Sequence, residues 1–451
     1  MPAESAGGRR FRAYTGKHLD TLTERAGLSA ADRLAVRAVG TVLPFRTNSY
    51  VVEELIDWAA APEDPIYRLV FPQADMLPAA DVEHIAGLLR LGAPEQEVTA
   101  AAHRVRMRLN PHPAGQLALN IPDFGDEPLP GVQHKYAETV LIFPKQGQTC
   151  HAYCTYCFRW AQFVDEPGLK MATADTGRVL DYLRQHREVT SVLITGGDPM
   201  IMGGPVLRRY IEPLLEPGLE HIESIRIGSK ALAYWPSRFV SDPDSDDTLR
   251  LFERVVASGR ALAFMAHFSH PRELEPPLVA EAVRRIQATG AVIRTQAPLI
   301  RTINDDPQVW AAMWRSQVRL GMVPYYMFVE RDTGPQDYFA VPLACGYGIF
   351  RDAYRQVAGL CRTVRGPSMS ATPGKVCVDG IADVAGQRVF VLHMIQARDP
   401  ALVGVPFFAR YDPAATWISD LEPAFAARFP FEPHAEDMPG LWSPELFESA
   451  S

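Results

Sequence analysis

Three cysteines, Cys150, Cys154 and Cys157, lie within eight residues of one another. The spacing Cys-x3-Cys-x2-Cys puts three thiolates on one short loop, where they can ligate three irons of a [4Fe–4S] cube. The fourth iron then lacks a protein ligand and can bind a small molecule. Two alternatives stay open. Zinc would need a fourth ligand, for which the adjacent His151 is poorly placed, and all three cysteines could be structural.

The cysteine loop follows the first of a series of predicted strands. Short β-branched or apolar runs alternate with amphipathic helical patterns, which is typical of parallel strands covered by helices. About six strand–helix units fit, fewer than the eight of a closed barrel. The sequence therefore predicts an α/β fold with strands at 139–144, 191–195, 224–228, 262–267, 292–298 and 324–329.

The flanking regions differ in pattern from this central part. Residues 14–108 carry apolar positions at helical spacings, including a segment at 51–59, and residues 122–131 form a Pro- and Gly-rich connector. A further strand is predicted at 388–393. We expect a helical N-terminal region at 1–121, a central domain at 122–380 and a small C-terminal extension at 381–451.

The composition excludes several classes of protein. Of 451 residues, 47% are hydrophobic and 22% are charged, with a formal net charge of −8. A nucleic-acid partner would favour a basic domain, so none is expected. The sequence shows no signal peptide and no apolar run long enough for a membrane span, so we expect a cytoplasmic protein without a membrane partner. Three clustered cysteines out of six favour a metal site over a disulfide framework.

A second candidate motif follows the predicted strand 191–195. Gly196 and Gly197 would let a ligand approach the backbone closely, and Asp198 could accept an ammonium group. On its own, Gly-Gly-Asp is a common turn.

Together, the two motifs resemble the radical S-adenosylmethionine (SAM) superfamily. The resemblance implies a partial (β/α)6 barrel, a cluster whose open iron binds SAM, and a SAM-binding loop at Gly196, Gly197 and Asp198. It also implies a reducing electron donor of the flavodoxin or ferredoxin type. One electron from the cluster would split SAM into methionine and a 5′-deoxyadenosyl radical, which abstracts hydrogen from an unactivated C–H bond.

A closer resemblance, over about residues 60–380, is to the lysine 2,3-aminomutase family. It is carried by segments at 64–68, 112–116, 225–229, 267–271, 295–305, 324–328 and 371–375. It implies an isomerase that moves the α-amino group of an amino acid to carbon 3 with pyridoxal 5′-phosphate (PLP). Lys375, in a glycine-containing loop, would carry PLP, Lys135 would bind its phosphate, and Arg159 would bind the α-carboxylate of the substrate. Members are often oligomers, which leaves a homo-oligomer open.

The sequence departs from the family at two substrate positions. Lysine-specific members bind the distal ammonium with two aspartates, and the corresponding positions here are Arg331 and Ser368. An arginine repels an ammonium, so we predict an acidic or neutral amino-acid substrate, with glutamate as one candidate. A one-residue shift of the alignment would place Asp332 there instead, which keeps lysine as the alternative. The C-terminal cysteine cluster that binds zinc in some members is absent, so no zinc site is predicted.

Two other functions remain as alternatives. One is a radical SAM enzyme without PLP, in which Lys375 is structural. The other is an iron–sulfur protein with a binding or regulatory role and no catalysis. His267 and His270 are interpreted as structural histidines.

Overall fold

The computed structural model describes residues 10–164 and 168–432, so residues 433–451 of the predicted C-terminal extension lie outside the described part. The N-terminal region is helical around a short antiparallel pair of strands. Its longer helices begin and end at recognisable caps: the hydroxyl of Ser29 accepts a bond from the N–H of Asp32 (3.2 Å) before one helix, and Gly92 ends another with φ 63°. The elements are β1 (Ala13–Thr15), α1 (Leu19–Arg25), α2 (Ala30–Val42), β2 (Arg46–Asn48), α3 (Pro65–Val70), α4 (Ala79–Leu91) and α5 (Glu95–Arg108).

The helix predicted at 51–59 is shorter than expected. Only a π-helical turn, Val51–Leu55, forms, and Ile56 is extended (φ −77°, ψ 126°). The indole N–H of Trp58 donates to the carbonyl of Val52 (2.7 Å), so the chain folds back before a second turn can form. The prediction was therefore wrong in length, because a local turn closed by Trp58 replaces the second helical turn.

Strands and helices alternate through the rest of the described chain. After the hairpin β3 (Asp123–Phe124) and β4 (Glu127–Pro128), they are β5 (Val132–Tyr136), β6 (Thr139–Ile142), α6 (Thr176–Gln185), β7 (Ser191–Ile194), α7 (Gly204–Ile211), β8 (Ser224–Ser229), α8 (Ala231–Tyr234), α9 (Ser245–Ala257), β9 (Ala261–His267), α10 (Pro277–Ala288), β10 (Val292–Leu299), α11 (Pro307–Arg319), β11 (Val323–Val329), α12 (Gln336–Phe339), α13 (Leu343–Arg355), β12 (Arg365–Ser370), β13 (Gly374–Val384), β14 (Gln387–Ala397) and β15 (Pro406–Arg410).

An eleven-stranded sheet forms the body of the described chain, in the order β15-β14-β13-β12-β11-β10-β9-β8-β7-β6-β5. Strands β6 to β12 pair in parallel, while β5 at one edge and β13 to β15 at the other are antiparallel. The first six parallel strands are each followed by a helix, which confirms the predicted partial (β/α)6 barrel.

Strand alternation decides which side chains face the inside of the barrel. In β8, Ile225 and Ile227 are fully buried in the main apolar core, whereas Arg226 between them lies on the opposite face of the strand. Because parallel strands share one direction, their carboxyl ends meet at one edge, where the loops that follow β6, β7, β8, β9 and β11 converge. This edge is where the predicted site residues should gather.

The C-terminal strands continue the barrel sheet. The predicted boundary at 380/381 falls inside β13, and the strand predicted at 388–393 is the longer β14. A second apolar core, with Met369, Phe390 and Leu392, packs on this part of the sheet. No helix within residues 10–164 or 168–432 combines the length and the apolarity needed to cross a membrane.

Candidate functional site

The cysteine loop is held by the N-terminal region. The N–H of Tyr153 donates to the carbonyl of Arg46 (2.8 Å), and the N–H of Thr155 donates to the carbonyl of Leu69 (2.9 Å). The amide of Asn48 also donates to the carbonyl of His151 (3.2 Å). The end of α3 and the strand β2 therefore hold the loop in place by hydrogen bonds, although they lie about a hundred residues earlier in the chain.

The three thiols of this loop are spread apart, because their sulfur atoms do not all lie within 4.8 Å of one another. In a [4Fe–4S] cube, each of three irons would take one of these thiolates. The ring of His151 packs edge-on against Phe11 (5.8 Å between centres) and is buried, with its Nδ1 lacking a hydrogen-bond partner. Burial raises the pKa of each thiol, to about 12 for Cys157, so the thiolates need a bound cation such as cluster iron.

The turn Gly196-Gly197-Asp198 lies against the start of the cysteine loop. The N–H of Asp198 donates to the carbonyls of Gly147 (3.1 Å) and Thr149 (2.8 Å). A Cβ at Gly197 would stand 2.5 Å from the carbonyl oxygen of Thr149 and 2.6 Å from its nitrogen. The second glycine therefore allows close packing of two backbones, which is a role that the sequence did not reveal.

The carboxylate of Asp198 is occupied by backbone donors. Its two oxygens accept bonds from the N–H groups of Met200 (2.9 Å) and Lys230 (2.9 Å). Burial raises its pKa to about 6. Asp198 thus ties the carboxyl ends of β7 and β8 together. The contact between Asp198 and SAM stays a prediction. Backbone groups of the same turn could also bind SAM.

The close packing at Gly197 predicts a selective stability defect. We expect Gly197→Ala to lower the free energy of unfolding by about 1–3 kcal/mol and to reduce iron incorporation, because the methyl group must displace Thr149 just before Cys150. Thermal unfolding and iron content per chain measure both effects. The matched control is Gly348→Ala in the middle of α13, where the added Cβ meets nothing within 4 Å and should stabilise by about 0.5–1 kcal/mol. Normal iron content in the Gly197 variant would contradict this account.

A buried polar network surrounds Cys154. The ammonium of Lys230 pairs with the fully buried carboxylate of Glu273 (2.8 Å) and donates to the hydroxyl of Ser269 (3.1 Å). Ser269 also bonds the hydroxyl of Tyr156 (2.9 Å), and the hydroxyl of Tyr234 lies 3.6 Å from Cys154 Sγ. The network fixes the loop and places a positive charge near one thiolate.

The two histidines of the site are neutral. His267 pairs with the side chain of Gln296 (2.6 Å), and burial lowers its pKa to about 3. His270 caps a short helical turn by accepting from the N–H of Arg272 (3.3 Å), and burial lowers its pKa to about 4. These contacts agree with the structural interpretation of both residues.

Lys375 lies near the start of β13 and not in a loop, opposite Ser370 of β12. Its ammonium nitrogen is 4.3 Å from the centre of the Tyr326 ring and donates to the side-chain oxygen of Gln396 (3.2 Å). Burial lowers its pKa from 10.5 to about 7, with Arg226 and Arg365 adding to the effect. A lysine in this state carries a large neutral fraction at pH 7, as a nucleophilic amine requires.

Several further basic side chains lie around Lys375. Lys135 donates to the carbonyl of Ala371, and its pKa is lowered well below the usual value by burial and by Arg331, Arg398 and Lys375. In Arg226, Nε and Nη2 are buried without hydrogen-bond partners, and so is Nε of Arg331. Buried unpaired guanidinium nitrogens are costly, so this interior suits an anionic ligand such as a phosphate.

Sequence reasoning missed several of these residues. Tyr326, Gln396 and Arg398 gave no local signal, because each joins the site through strand pairing or long-range contact. Arg226 did give a local signal, because an arginine between two buried isoleucines of a strand lies on the face that points into the barrel. Glu330, 5% exposed at the end of β11, was also missed, and burial raises its pKa well above the usual value.

Arg159 and Arg331 both stack on Phe158 beside the cysteine loop. Their guanidinium carbons lie 5.0 and 4.8 Å from the centre of that ring. Burial lowers the pKa of Arg159 to about 10, and that of Arg331 is also lowered. The charge of Arg331 lowers the pKa of Arg159 further, whereas Asp332 and Glu330 act to raise the pKa of Arg331. Two buried guanidiniums on one ring are suited to bind carboxylates.

The remaining predicted substrate residues do not lie on the Phe158 ring with Arg159 and Arg331. Ser368 is fully buried in β12, and its hydroxyl is 3.5 Å from the carbonyl of Met327, within the sheet. Asp332 lies beside the N-terminal region, where the amide of Asn110 donates to its carbonyl (2.7 Å). One oxygen of its carboxylate, Oδ1, is buried without a hydrogen-bond partner. Among the described residues, Arg331 is thus the predicted position that joins Arg159.

The sequence of this chain is similar to the sequences of known proteins. A protein of Aquifex aeolicus (strain VF5), named "Putative L-lysine 2,3-aminomutase", is 30% identical over 390 residues, which cover 86% of this chain and 90% of the relative. L-lysine 2,3-aminomutase of Clostridium subterminale is 26% identical over 236 residues, and the match spans about half of each chain (52% and 53%). No protein-family model matches the chain.

Solved structures resemble the chain more distantly. A radical SAM methyltransferase from Sphaerobacter thermophilus has a TM-score of 0.36 and 14% identity, and the match covers 64% of this chain and 93% of that one. Streptococcus suis SuiB bound to precursor peptide SuiA has a TM-score of 0.34 and 14% identity, with 58% and 53% covered.

Proposed function

This chain belongs to the lysine 2,3-aminomutase family of radical SAM enzymes, and from that premise we propose that it is a PLP-dependent 2,3-aminomutase of an acidic amino acid. Members of the family are isomerases that use a [4Fe–4S] cluster and SAM. Cys150, Cys154 and Cys157 would hold the cluster, and the Gly196–Asp198 turn would bind SAM beside it. When bound, PLP supplies the carbon to which the migrating amino group is bonded.

The surroundings of Lys375 support PLP binding. Burial lowers the pKa of the amine to about 7, so about half of it is neutral at pH 7 and can bond to an aldehyde carbon. The Tyr326 ring lies beside it. Lys135 and the unpaired nitrogens of Arg226 would balance a phosphate. Burial keeps the amine and the cations out of water, so their interactions with an anionic ligand are strong.

The observation that carries the substrate proposal is the pair of buried guanidiniums on Phe158. Arg159 would bind the α-carboxylate, and Arg331 would bind a carboxylate at the far end of the substrate. Among the described residues, no carboxylate side chain is hydrogen-bonded to the guanidinium of Arg159 or Arg331, although Asp332 and Glu330 act to raise the pKa of Arg331. Two desolvated guanidiniums favour a dianionic ligand over a cationic one. Glutamate carries both carboxylates and keeps an unactivated C–H bond at carbon 3.

One observation favours lysine as a second candidate. Asp332 Oδ1 is buried without a hydrogen-bond partner, and a distal ammonium would satisfy it. Arg331 opposes this candidate, because it lies next to Asp332 and its positive charge lowers the pKa of that carboxyl.

The direct test offers each proteinogenic amino acid to the anaerobic, cluster-reconstituted enzyme with PLP, SAM and reductant, followed by mass spectrometry of β-amino products. We expect 3-aminopentanedioate from glutamate. Each β-amino product has the mass of its substrate, so chromatography must separate the two before detection. Aspartate is uninformative, because moving its amino group to carbon 3 regenerates aspartate. β-Lysine as the main product would replace this proposal with the lysine candidate. 5′-Deoxyadenosine without any β-amino acid would favour a radical SAM enzyme without PLP, and no SAM cleavage would favour the non-catalytic alternative.

Removal of the Arg331 charge should weaken glutamate turnover selectively. We expect Arg331→Gln to lower kcat/KM for glutamate by roughly 10²–10³-fold, because a desolvated carboxylate–arginine pair is worth several kcal/mol. Steady-state kinetics of 3-aminopentanedioate formation measure the change. Arg388→Gln removes an exposed arginine that stacks on Tyr411 and should leave kcat/KM unchanged. Equal losses in the two variants would contradict the assignment of Arg331.

The enzyme would need a reducing electron donor of the flavodoxin or ferredoxin type and would act in the cytoplasm. The division at 1–121, 122–380 and 381–451, and any homo-oligomer, belong to the same proposal.

A further inference from the structure

A second group of metal-ligating side chains lies outside the candidate active site. Cys377 of β13 and His393 of β14 are directly opposed in the antiparallel pair, and Asp379 follows two residues after Cys377. The ligand atoms of these three residues all lie within 4.8 Å of one another, and no other group of three or more does so among the described histidines, cysteines and carboxylates. The arrangement follows from strand geometry, since alternate residues and cross-strand partners share a face.

The chemistry of the three side chains is that of a zinc ligand set. A thiolate, an imidazole and a carboxylate together favour zinc over calcium or magnesium, which prefer oxygen ligands alone. His393 Nδ1 already lies 2.5 Å from Asp379 Oδ2, so the carboxylate is placed either to bind the ion or to orient the imidazole. A shift of the side chains by about 1 Å would bring the sulfur, nitrogen and oxygen to tetrahedral separations.

The group also has room for a metal and a route for its entry. It lines a cavity of about 440 Å³ that is bounded by Tyr354, Arg365 and Met394 among others. Cys377 is buried, while Asp379 and His393 reach the solvent side of the cavity. A fourth ligand, water or a group from a bound molecule, could therefore approach from the cavity.

We propose that Cys377, Asp379 and His393 form a zinc-binding site with one coordination position open to this cavity. Zinc binding would replace the S–H proton of Cys377, which passes to solvent, by a Zn–S bond. The ion would join β13 to β14, the strands that carry Lys375 and its partner Gln396. This site is distinct from the cysteine loop and does not depend on the substrate or on PLP.

The test measures zinc in the cluster-reconstituted full-length protein. After incubation with zinc sulfate and gel filtration, we expect one zinc per chain in addition to the iron, and bound zinc should raise the unfolding temperature. Cys377→Ser and His393→Gln should each lower retained zinc at least about tenfold without loss of iron. Cys361→Ser is the matched control, because Cys361 is a free cysteine elsewhere in the fold and should retain full zinc.

Cobalt gives a second measurement that separates this site from the cysteine loop. Co²⁺ should produce a thiolate-to-metal absorption band that persists when Cys150, Cys154 and Cys157 are all replaced by alanine and disappears in Cys377→Ser. The proposal is overturned if the parent protein retains no zinc, or if the Cys377 and His393 variants retain as much as the parent. It is equally overturned if the cobalt band depends on the cysteine loop alone.

Discussion

Replacement of any one of Cys150, Cys154 and Cys157 by alanine is expected to lower SAM cleavage by at least about a thousandfold, or roughly 4 kcal/mol of transition-state stabilisation. Each thiolate would ligate a separate iron, so the loss of one exposes a second iron to water and destabilises the cube. The nearby carboxylates are engaged elsewhere, since Asp198 accepts from two backbone N–H groups, and Glu273 pairs with the ammonium of Lys230. Iron and sulfide content, the cluster absorption and 5′-deoxyadenosine formation after reduction measure the effect.

The control for this prediction is another cysteine. Cys345 is an exposed residue of α13, and Cys345→Ala should leave iron content and SAM cleavage unchanged. The loop variants should also keep a normal unfolding temperature when compared with the iron-free parent, since the anchoring bonds of the loop are made by its backbone. A loop variant that cleaves SAM at more than a tenth of the parental rate would remove that cysteine from the ligand set.

Lys375→Ala is expected to abolish covalent PLP binding and to lower formation of any β-amino acid by at least about a thousandfold. The near-violet absorption of lysine-bound PLP should be missing, and borohydride should no longer attach PLP to the chain. SAM cleavage without substrate should persist, because Lys375 is not a cluster ligand. Lys17→Ala, at an exposed position, is the matched control and should behave as the parent.

The pKa of Lys375 gives this prediction a pH dependence. Burial lowers the pKa to about 7, so the amine is protonated and unreactive below that pH and neutral above it. The rate at which the absorption band appears on addition of PLP should therefore rise with pH and reach half of its maximum near pH 7. An ordinary lysine would place the midpoint near 10.5. A midpoint above pH 9 would contradict a buried reactive amine, and unchanged PLP attachment in Lys375→Ala would assign PLP to another lysine.

The fold could be predicted well from the sequence where its signals are local. The alternation of apolar runs and amphipathic stretches reports strand and helix within a few residues, so six strand–helix units were identified and are confirmed. The spacing of the three cysteines is likewise local, and it indicates a cluster without knowledge of the fold. The segment at 51–59 failed because one side-chain contact, from Trp58 to Val52, competes with helical periodicity.

The site could be predicted only in part. The sequence named Lys375, Arg159 and Arg331, but through a resemblance and not through any physical signal of its own. It predicted that Asp198 accepts an ammonium, which stays a prediction, and it did not reveal that each of its oxygens accepts a backbone N–H. It placed Lys375 in a loop, whereas strand pairing puts it on β13 opposite Ser370.

The sequence by itself determined which reactive groups are available, namely three thiols on one loop and a lysine after a Pro-Gly pair. It also determined the alternation of strands and helices that forms a partial barrel. Only the tertiary structure decided which charges meet. Arg159 and Arg331, far apart in the chain, share one aromatic ring, and Cys377 meets His393 because two strands pair in one register. The physical reason is that register and strand ends, which chain order does not encode locally, set every one of these distances.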